Sequence, residues 1–292
     1  MQKITKLFEK KEKTFSFEFF PPKTEIGYEK LITTIEHLSK LNPDFISCTY
    51  GAGGGNRDKT FHIVEHIQNH HKIIGVAHLT CVLNTKEDIK NILDDIKSRN
   101  ICNILALRGD PPQEFPNWVP GENNFQYSYQ LCQFIRQEYG NFFSIGVAGF
   151  PEGHISCHDR ELDAKYLKIK IDSGADFVIT QLFFDNRDYF EYVQRLKKIG
   201  VTVRVIPGIL PITNYQNLLK FCSMCGASIP EEVKNIFEPL KDNAEATLQE
   251  GIKFAIRQCK DLLKNGAAGI HFYTLNKISP VFEILSEIKK QN

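Results

Sequence analysis

The sequence predicts a (β/α)8 barrel, and three observations carry that expectation. Short apolar runs with strand character alternate with helical patterns, one unit every ~30 residues, eight times in a chain of 292 residues. Charged and polar residues gather at the C-terminal ends of these runs, where a parallel α/β sheet places its functional groups. The first run closes in Phe19-Phe20-Pro21-Pro22. A doubly wound open sheet, the rival architecture, more often shows a Gly-x-Gly-x-x-Gly turn there. No low-complexity stretch or Ser/Gly linker divides the chain, so residues 1–292 are expected to form a single barrel domain. Residues 1–13 read as a charged lead-in, helical or frayed.

The expected strands are Thr14–Phe20, Asp44–Thr49, Ile73–His78, Cys102–Leu107, Phe143–Gly149, Asp176–Leu182, Val203–Gly208 and Gly269–Tyr273. The clearest helices between them are Glu87–Ser98, Glu161–Asp172 and Ala244–Lys264.

In the first strand Phe15, Phe17 and Phe19 share one face while Ser16, Glu18 and Phe20 share the other. Glu18 is thus a carboxyl among phenylalanines. Apolar surroundings raise a carboxyl pKa, so Glu18 is expected to hold a proton near neutrality; a salt-bridged barrel-layer residue is the competing reading.

The second strand runs into Thr49-Tyr50-Gly51-Ala52-Gly53-Gly54-Gly55, a loop able to wrap backbone N–H groups around phosphate or simply to turn the chain. It lacks the Gly-Lys-Ser/Thr ending of a nucleotide P-loop. The third strand ends at His78, which also suits a structural histidine.

The fourth strand is the sharpest signal. Ile104, Leu105, Ala106 and Leu107 stop abruptly at Arg108-Gly109-Asp110, and Pro111 and Pro112 end the ladder. Gly109 permits a sharp bend or close ligand approach. A structural Arg108–Asp110 ion pair capping the strand is the alternative. The fifth strand leads to Phe150 and His154. The sixth leads to Gln181 followed by Phe183 and Phe184, a set suited to a planar heterocycle and equally to a core.

Composition excludes several classes. Lys+Arg 36 against Asp+Glu 35 leaves a net charge of +1, with no basic footprint for nucleic acid and no polybasic membrane anchor. No apolar run approaches the ~20 residues of a membrane span. The charged first residues have no apolar segment behind them, so no signal peptide is expected. The eight cysteines are scattered, several in apolar runs, as buried thiols of a reducing compartment. A cytoplasmic protein is expected. His62, His66 and His70 form a stripe on the outer helical ring, and Cys222 and Cys225 form a lone pair in a helix; both are read as structural, so no metal site is expected.

Taken together, Phe17-Glu18-Phe19-Phe20-Pro21-Pro22, Thr49-Tyr50-Gly51-Ala52, His78-Leu79-Thr80-Cys81, Leu105-Ala106-Leu107-Arg108-Gly109-Asp110, Thr180-Gln181-Leu182-Phe183-Phe184-Asp185, Ile206-Pro207-Gly208-Ile209-Leu210-Pro211 and His271-Phe272-Tyr273-Thr274-Leu275-Asn276 closely resemble the catalytic domain of methylenetetrahydrofolate reductases, in the short bacterial form. The resemblance runs over nearly the whole chain in unbroken motif order. It implies a barrel holding FAD at the strand ends and a homo-oligomer. The implied reaction is reduction of 5,10-methylenetetrahydrofolate to 5-methyltetrahydrofolate by NADH or NADPH in a ping-pong cycle, a one-carbon step feeding methionine synthesis. It also implies that the regulatory domain of the long eukaryotic form, with its S-adenosylmethionine control, is absent.

Carried over by position, the resemblance implies Glu18 as general acid and Asp110 as the carboxylate between flavin and folate. Gln181, Asn217, Phe221 and Lys277 fall at folate contacts, Phe221 as the stacking aromatic and Lys277 toward the glutamate tail. Thr49, Tyr50, Ala52, His78, Arg108, Gly109, Asp110, Ser128, Phe150, His154, Cys157, Asp163, Tyr166, Ile169 and Lys170 fall at FAD contacts. Asp163, Tyr166 and Lys170 follow helical spacing.

This chain departs from the family pattern at several of these places. Phe150 stands for Tyr, Ser128 for Ala, Asn217 for Gln, Tyr166 for Asn and Ile169 for Arg. The last change removes charge-assisted bonds to phosphate at the outer half of the cofactor. Two rivals remain: a metal-dependent hydrolase or folate-linked methyltransferase barrel, and a flavin- or folate-binding module without turnover.

Overall fold

In the computed structural model, which describes residues 2–50, 57–111, 115 and 117–290, nine strands and eleven α-helices alternate among the described residues. The strands are β1 (Thr14–Phe19), β2 (Phe45–Cys48), β3 (Ile74–Thr80), β4 (Asn103–Leu107), β5 (Ser144–Gly149), β6 (Phe177–Thr180), β7 (Arg204–Ile206), β8 (Gly208–Ile209) and β9 (Gly269–Tyr273). The helices are α1 (Ile4–Lys10), α2 (Glu25–Ser39), α3 (Arg57–His71), α4 (Lys86–Ser98), α5 (Ser128–Tyr139), α6 (Arg160–Asp172), α7 (Asn186–Lys198), α8 (Tyr215–Cys225), α9 (Glu231–Phe237), α10 (Ala244–Lys264) and α11 (Val281–Lys289).

All strand pairs are parallel, in the order β7-β6-β5-β4-β3-β2-β1-β9-β8. The expected seventh strand is split at Pro207. Its first half pairs with β6 and its second with β9. Pro207 has no N–H for the ladder, but its carbonyl accepts from His271 N at 2.9 Å. The two halves are consecutive in the chain, so the ring closes through this proline and the nine segments make eight staves.

The helices form where the sequence supplies both caps and an apolar face. In α4, Thr85 and Asp88 make a reciprocal capping box, and Ile89, Ile92, Leu93 and Ile96 are buried. Asp159 caps α6 and Asn243 caps α10. Within α10, a Cβ on Gly251 would lie 1.7 Å from the Ile212 carbonyl oxygen, so only glycine lets this helix lie so close to the segment after β8.

Helix α1 makes the lead-in an ordered part of the fold. It closes the N-terminal end of the barrel over an interior layer of Phe45, Ile74, Val76, Leu105, Phe177, Ile179 and Ile206. Ile4 is fully buried and its N–H donates to Asn103 Oδ1 at 2.8 Å. Phe8 meets Phe177 edge-on at 5.6 Å. The Arg204 guanidinium covers Phe8 at 4.3 Å and donates to the carbonyls of Phe8 and Lys11.

Candidate active site

One step toward the C-terminal end the barrel interior becomes polar. The β1–β9 register sets Ser16 opposite His271 and Glu18 opposite Tyr273, and the β1–β2 register sets Glu18 opposite Ser47. The face that carries Phe15, Phe17 and Phe19 packs into the main core beneath the helices, so Ser16 and Glu18 point inward, as the alternation predicts. His271 is fully buried; its ring lies parallel to Phe45 at 5.8 Å, and its Nδ1 is 2.7 Å from Ser16 Oγ. His271 Nε2 approaches Glu18 Oε2 at 3.5 Å, and His78 Nε2 approaches the same oxygen at 3.3 Å. Glu18 Oε1 has no hydrogen-bond partner among the described residues. Thr274 Oγ1 donates to the Glu18 carbonyl at 2.7 Å and fixes the strand end.

This arrangement reverses one expectation. Burial does push the Glu18 carboxyl up, but the nearby charge of His78 and the hydrogen bond and charge of His271 outweigh it, and the carboxyl is lowered from 4.5 to about 2. The phenylalanines that suggested a raised pKa face the helices; the partners that matter come from β3 and β9, far away in sequence. Glu18 is an anion clasped by two imidazoles.

Arg108 and Asp110 are exposed just beyond β4, and neither forms an ion pair among the described residues. The capping-pair reading of these two side chains therefore finds no support. The Arg108 carbonyl instead accepts from the N–H groups of Cys81 and Val82, tying the loop after β3 to this edge. Gly109 has φ +79°, and a Cβ there would lie 2.9 Å from Thr80 Cβ.

Next along the mouth, Asp163 is buried and accepts from His154 N at 3.3 Å, while His154 meets Phe150 edge-on at 4.7 Å. Lys170 Nζ lies 5.5 Å from the Phe150 ring centre and donates to the Ala148 carbonyl at 3.1 Å. Burial pushes the Asp163 carboxyl up and the Lys170 ammonium down, each opposed by the other's charge; burial and the Lys170 charge push His154 down. Tyr166 and Ile169 are 49% and 42% exposed on α6. Ser128 is buried at the start of α5, and Cys157 is half-buried with its thiol 3.6 Å from the Asp159 carbonyl.

Further round the mouth, Gln181, Phe150, Glu152 and Cys225 line one cavity, and Asn217, Phe221, Asn214 and Leu275 line another beside α8. Lys277 is exposed past β9, and Thr49 and Tyr50 follow directly on β2. Ala52 and the glycines at 51 and 53–55 lie outside the described residues, as does Pro112. His271, quoted in the sequence only as part of a strand end, is the residue that carried no assigned role; its signal was its register opposite Ser16 on the inward face.

The two other clusters stand apart from this mouth. His66 stacks on His70 at 4.4 Å and meets His71 edge-on, on the outer helix α3. The eight cysteines are free thiols, and Cys222 and Cys225 sit on α8. Among the described residues no group of three or more His, Cys, Asp or Glu is arranged to hold a metal ion. No helix among them is long and apolar enough to cross a membrane.

The donor set at the mouth suits a large anion. Among the described residues, Lys170 leaves two N–H bonds without a protein partner, and Arg108 and Lys277 have no ion-pair partner. An α/β barrel with an anion-accepting mouth around an interior carboxylate is the class that fold and site define. The chain belongs to the methylenetetrahydrofolate reductase family, whose model matches residues 3–289. It is 39% identical over 297 residues to "Methylenetetrahydrofolate reductase (NADH) 1" of Arabidopsis thaliana, covering 99% of this chain and 50% of that one. It is 38% identical over 262 residues to the "5,10-methylenetetrahydrofolate reductase" of Pectobacterium carotovorum subsp. carotovorum, covering 90% of this chain and 85% of that one. The chain thus spans about half the length of the plant relatives it matches. Among solved structures, an uncharacterized Clostridium thermocellum protein described as binding two copies of 5-methyl-5,6,7,8-tetrahydrofolic acid shares the fold at TM-score 0.67 and 17% identity, over 98% of each chain.

Proposed function

We propose that this chain, as one catalytic barrel domain spanning 1–292, reduces 5,10-methylenetetrahydrofolate to 5-methyltetrahydrofolate with NADH or NADPH. The cycle is ping-pong at a single site, in a cytoplasmic homo-oligomer, and its product feeds methionine synthesis. The observation that carries the reading is Glu18. A carboxyl clasped by His78 and His271 at the mouth of a barrel of this family is a group able to manage a proton during opening of the folate's five-membered ring. A bound FAD supplies the two-electron chemistry that links nicotinamide to folate.

The residues around Glu18 divide the remaining work. Arg108, His154 and Lys170 offer donors to the cofactor's pyrophosphate, with Asp163 holding His154 N and balancing the Lys170 charge. Thr49, Tyr50, His78, Gly109 and Asp110 serve the flavin end, and the family resemblance assigns Ala52 to the same end by position. Ser128, Phe150, Cys157, Tyr166 and Ile169 line the outer half, where Tyr166 and Ile169 give contact area in place of charge. Asp110 faces the developing cation of the opened folate with a carboxylate. Gln181 and Asn217 offer amide bonds to the pterin, Phe221 a stacking face, and Lys277 a charge for the glutamate tail.

The test is an absorbance experiment. The purified protein carries a flavin spectrum, NADH or NADPH bleaches it, and methylenetetrahydrofolate restores it with formation of methyltetrahydrofolate. A colourless protein, or a flavin that neither nicotinamide bleaches, overturns the reading.

A further inference from the structure

The turn after β9 carries backbone strain that no step of the proposed reaction uses. Leu275 and Asn276 stand side by side in the left-handed region, with φ +51° and +58°. The Lys277 N–H closes the turn on the Thr274 carbonyl at 3.0 Å. Turns with two left-handed central residues favour Asn, Asp and Gly. Asn276 meets that preference. Leu275 does not, because a left-handed backbone brings its Cβ too close to the following carbonyl. A plain connection from β9 to α11 would use glycine at this position and turn without strain. Strain of this kind persists where the surrounding structure enforces it and where function uses it.

The side chain that the strain displays belongs to the ligand wall. Leu275 lines the cavity beside α8 together with Phe221, Asn214 and Asn217. It also packs with Phe221 and Tyr273 against the apolar cluster that holds Leu210 and Leu218.

Two side chains hold the turn in place. Thr274 Oγ1 donates to the Glu18 carbonyl at 2.7 Å and accepts from Asn276 N at 3.1 Å. Asn276 reaches across to Phe20, the residue just past β1. Its Oδ1 accepts from Phe20 N at 3.0 Å, and its Nδ2 donates to the Phe20 carbonyl at 2.8 Å. The β1–β9 register runs as far as Glu18 and Tyr273. One step on, the Asn276 amide supplies the donor and the acceptor that a neighbouring strand would give Phe20. A primary amide presents both groups in peptide-like geometry, and Asn is the amide that also tolerates a left-handed backbone.

Resting on the proposed function, we propose that Asn276 is a positioning residue for the folate site: its amide pins the strained turn to the end of the Glu18 strand and so keeps Leu275 against the folate. Asn276 acts through Leu275 and does no chemistry itself. The Glu18 carbonyl keeps its bond from Thr274 when the Asn276 amide is removed. Loss of the amide therefore falls on folate binding more than on the chemical step.

The experiment uses the holoenzyme of wild type, Asn276→Gly, Leu275→Ala and the double variant. Glycine keeps the left-handed backbone open and removes both bonds to Phe20. Equilibrium dialysis gives the Kd of 5-methyltetrahydrofolate, steady-state kinetics give KM and kcat, and urea unfolding gives the midpoint. Asn276→Gly is expected to raise Kd and KM for folate by about 10-fold, as loss of two hydrogen bonds allows, with kcat falling far less. In the Leu275→Ala background the turn has less to position, so the same glycine should raise Kd by clearly less. A residue that only shapes the connection would lower the unfolding midpoint and leave Kd alone. Asn276→Asp keeps the acceptor for Phe20 N and sets its second oxygen against the Phe20 carbonyl. It is also expected to weaken binding, and it carries the test if Asn276→Gly fails to fold. A wild-type Kd in either variant, or an equal effect of the glycine with and without Leu275, overturns the proposal and leaves the proposed activity standing. A wild type that neither binds 5-methyltetrahydrofolate nor reduces methylenetetrahydrofolate overturns both.

Discussion

The two ends of the barrel are built from the same strands and do opposite things. At the N-terminal end, Phe45, Val76, Leu105, Phe177 and Ile206 meet in a dry layer sealed by α1, and the Arg204 guanidinium beside it is occupied by a ring face and two carbonyls. At the C-terminal end Arg108, Asp110 and Lys277 carry charges with no ion-pair partner among the described residues, and Glu18 is clasped by histidines from two other strands. Alternation along a strand decides which residues face inward; position along it decides whether an inward residue meets α1 or the mouth. Stability and chemistry are therefore separable by a step of two residues, and substitutions at the two ends should separate them experimentally.

The sharpest break is Glu18→Gln. It keeps the shape of the side chain and removes the acid. Folate reduction is expected to fall ~10²–10⁴-fold while flavin reduction by the nicotinamide falls far less. Stopped-flow measurement of the two half-reactions checks this, and equal slowing of both would place Glu18 with the structural residues.

The converse break is Phe177→Ala. Phe177 is fully buried, touches Phe8, and fills the space left open by Gly146, where a Cβ would lie 2.4 Å from its ring. Truncation is expected to cost ~3–5 kcal/mol of stability and to leave the ratio of the two half-reactions unchanged. Urea unfolding monitored alongside the kinetics measures both, and a changed ratio would mean the ends are coupled.

How much of this was legible in the sequence differs between the ends. Strand spacing and the residues at each strand end placed Glu18, His78, Arg108 and Gln181 at the mouth, because period-two alternation and the parallel-barrel rule are local. The split at Pro207 was hidden because Val203–Gly208 reads as one apolar run, and only pairing partners reveal that the ladder changes sides there. The α1 seal was hidden because Lys and Glu dominate its composition while Ile4, Leu7 and Phe8 do the packing. The state of Glu18 was misjudged for a related reason. Its sequence neighbours are phenylalanines, but its spatial neighbours are His78 and His271, 60 and 253 positions away.

That correction sharpens the comparison through pH. The Glu18 carboxyl ionises at about 2 in the fold against 4.5 ordinarily. A depressed acid pKa stabilises the folded state above the unfolded value and loses that contribution as pH falls through the folded one. Stability linked to Glu18 is thus expected in full above about pH 4.5 and to decline toward about pH 2, by at most roughly 3 kcal/mol. Glu18→Gln should flatten this limb, whereas Phe177→Ala should lower the whole curve and keep its shape. Denaturant midpoints across the acid range distinguish the two; an unchanged limb in Glu18→Gln would mean that other carboxylates set it.

The smallest effect is expected at Asp110, and its sign is the informative part. Asp110 follows Gly109 at the end of β4, exposed, with no ion-pair partner among the described residues. A carboxylate beside the flavin disfavours the reduced form, which gains negative charge, through Coulomb repulsion. Asp110→Asn removes that repulsion, so the midpoint potential of the bound flavin should move upward, by on the order of tens of millivolts at a solvated position. An easier reduction makes a poorer donor, and the same change removes an acceptor for the pterin N–H groups and the counter-charge to the opened folate. Folate binding should weaken and folate reduction slow, while the unfolding midpoint stays within the small range of a surface substitution. Arg108 lies two residues away and screens part of the field, which limits the size and leaves the sign. Redox titration beside single-turnover folate reduction makes the measurement. A lowered or unchanged potential with normal folate reduction would make Asp110 a strand-end residue like those at the sealed end, and the division between the two ends would then run through the mouth itself.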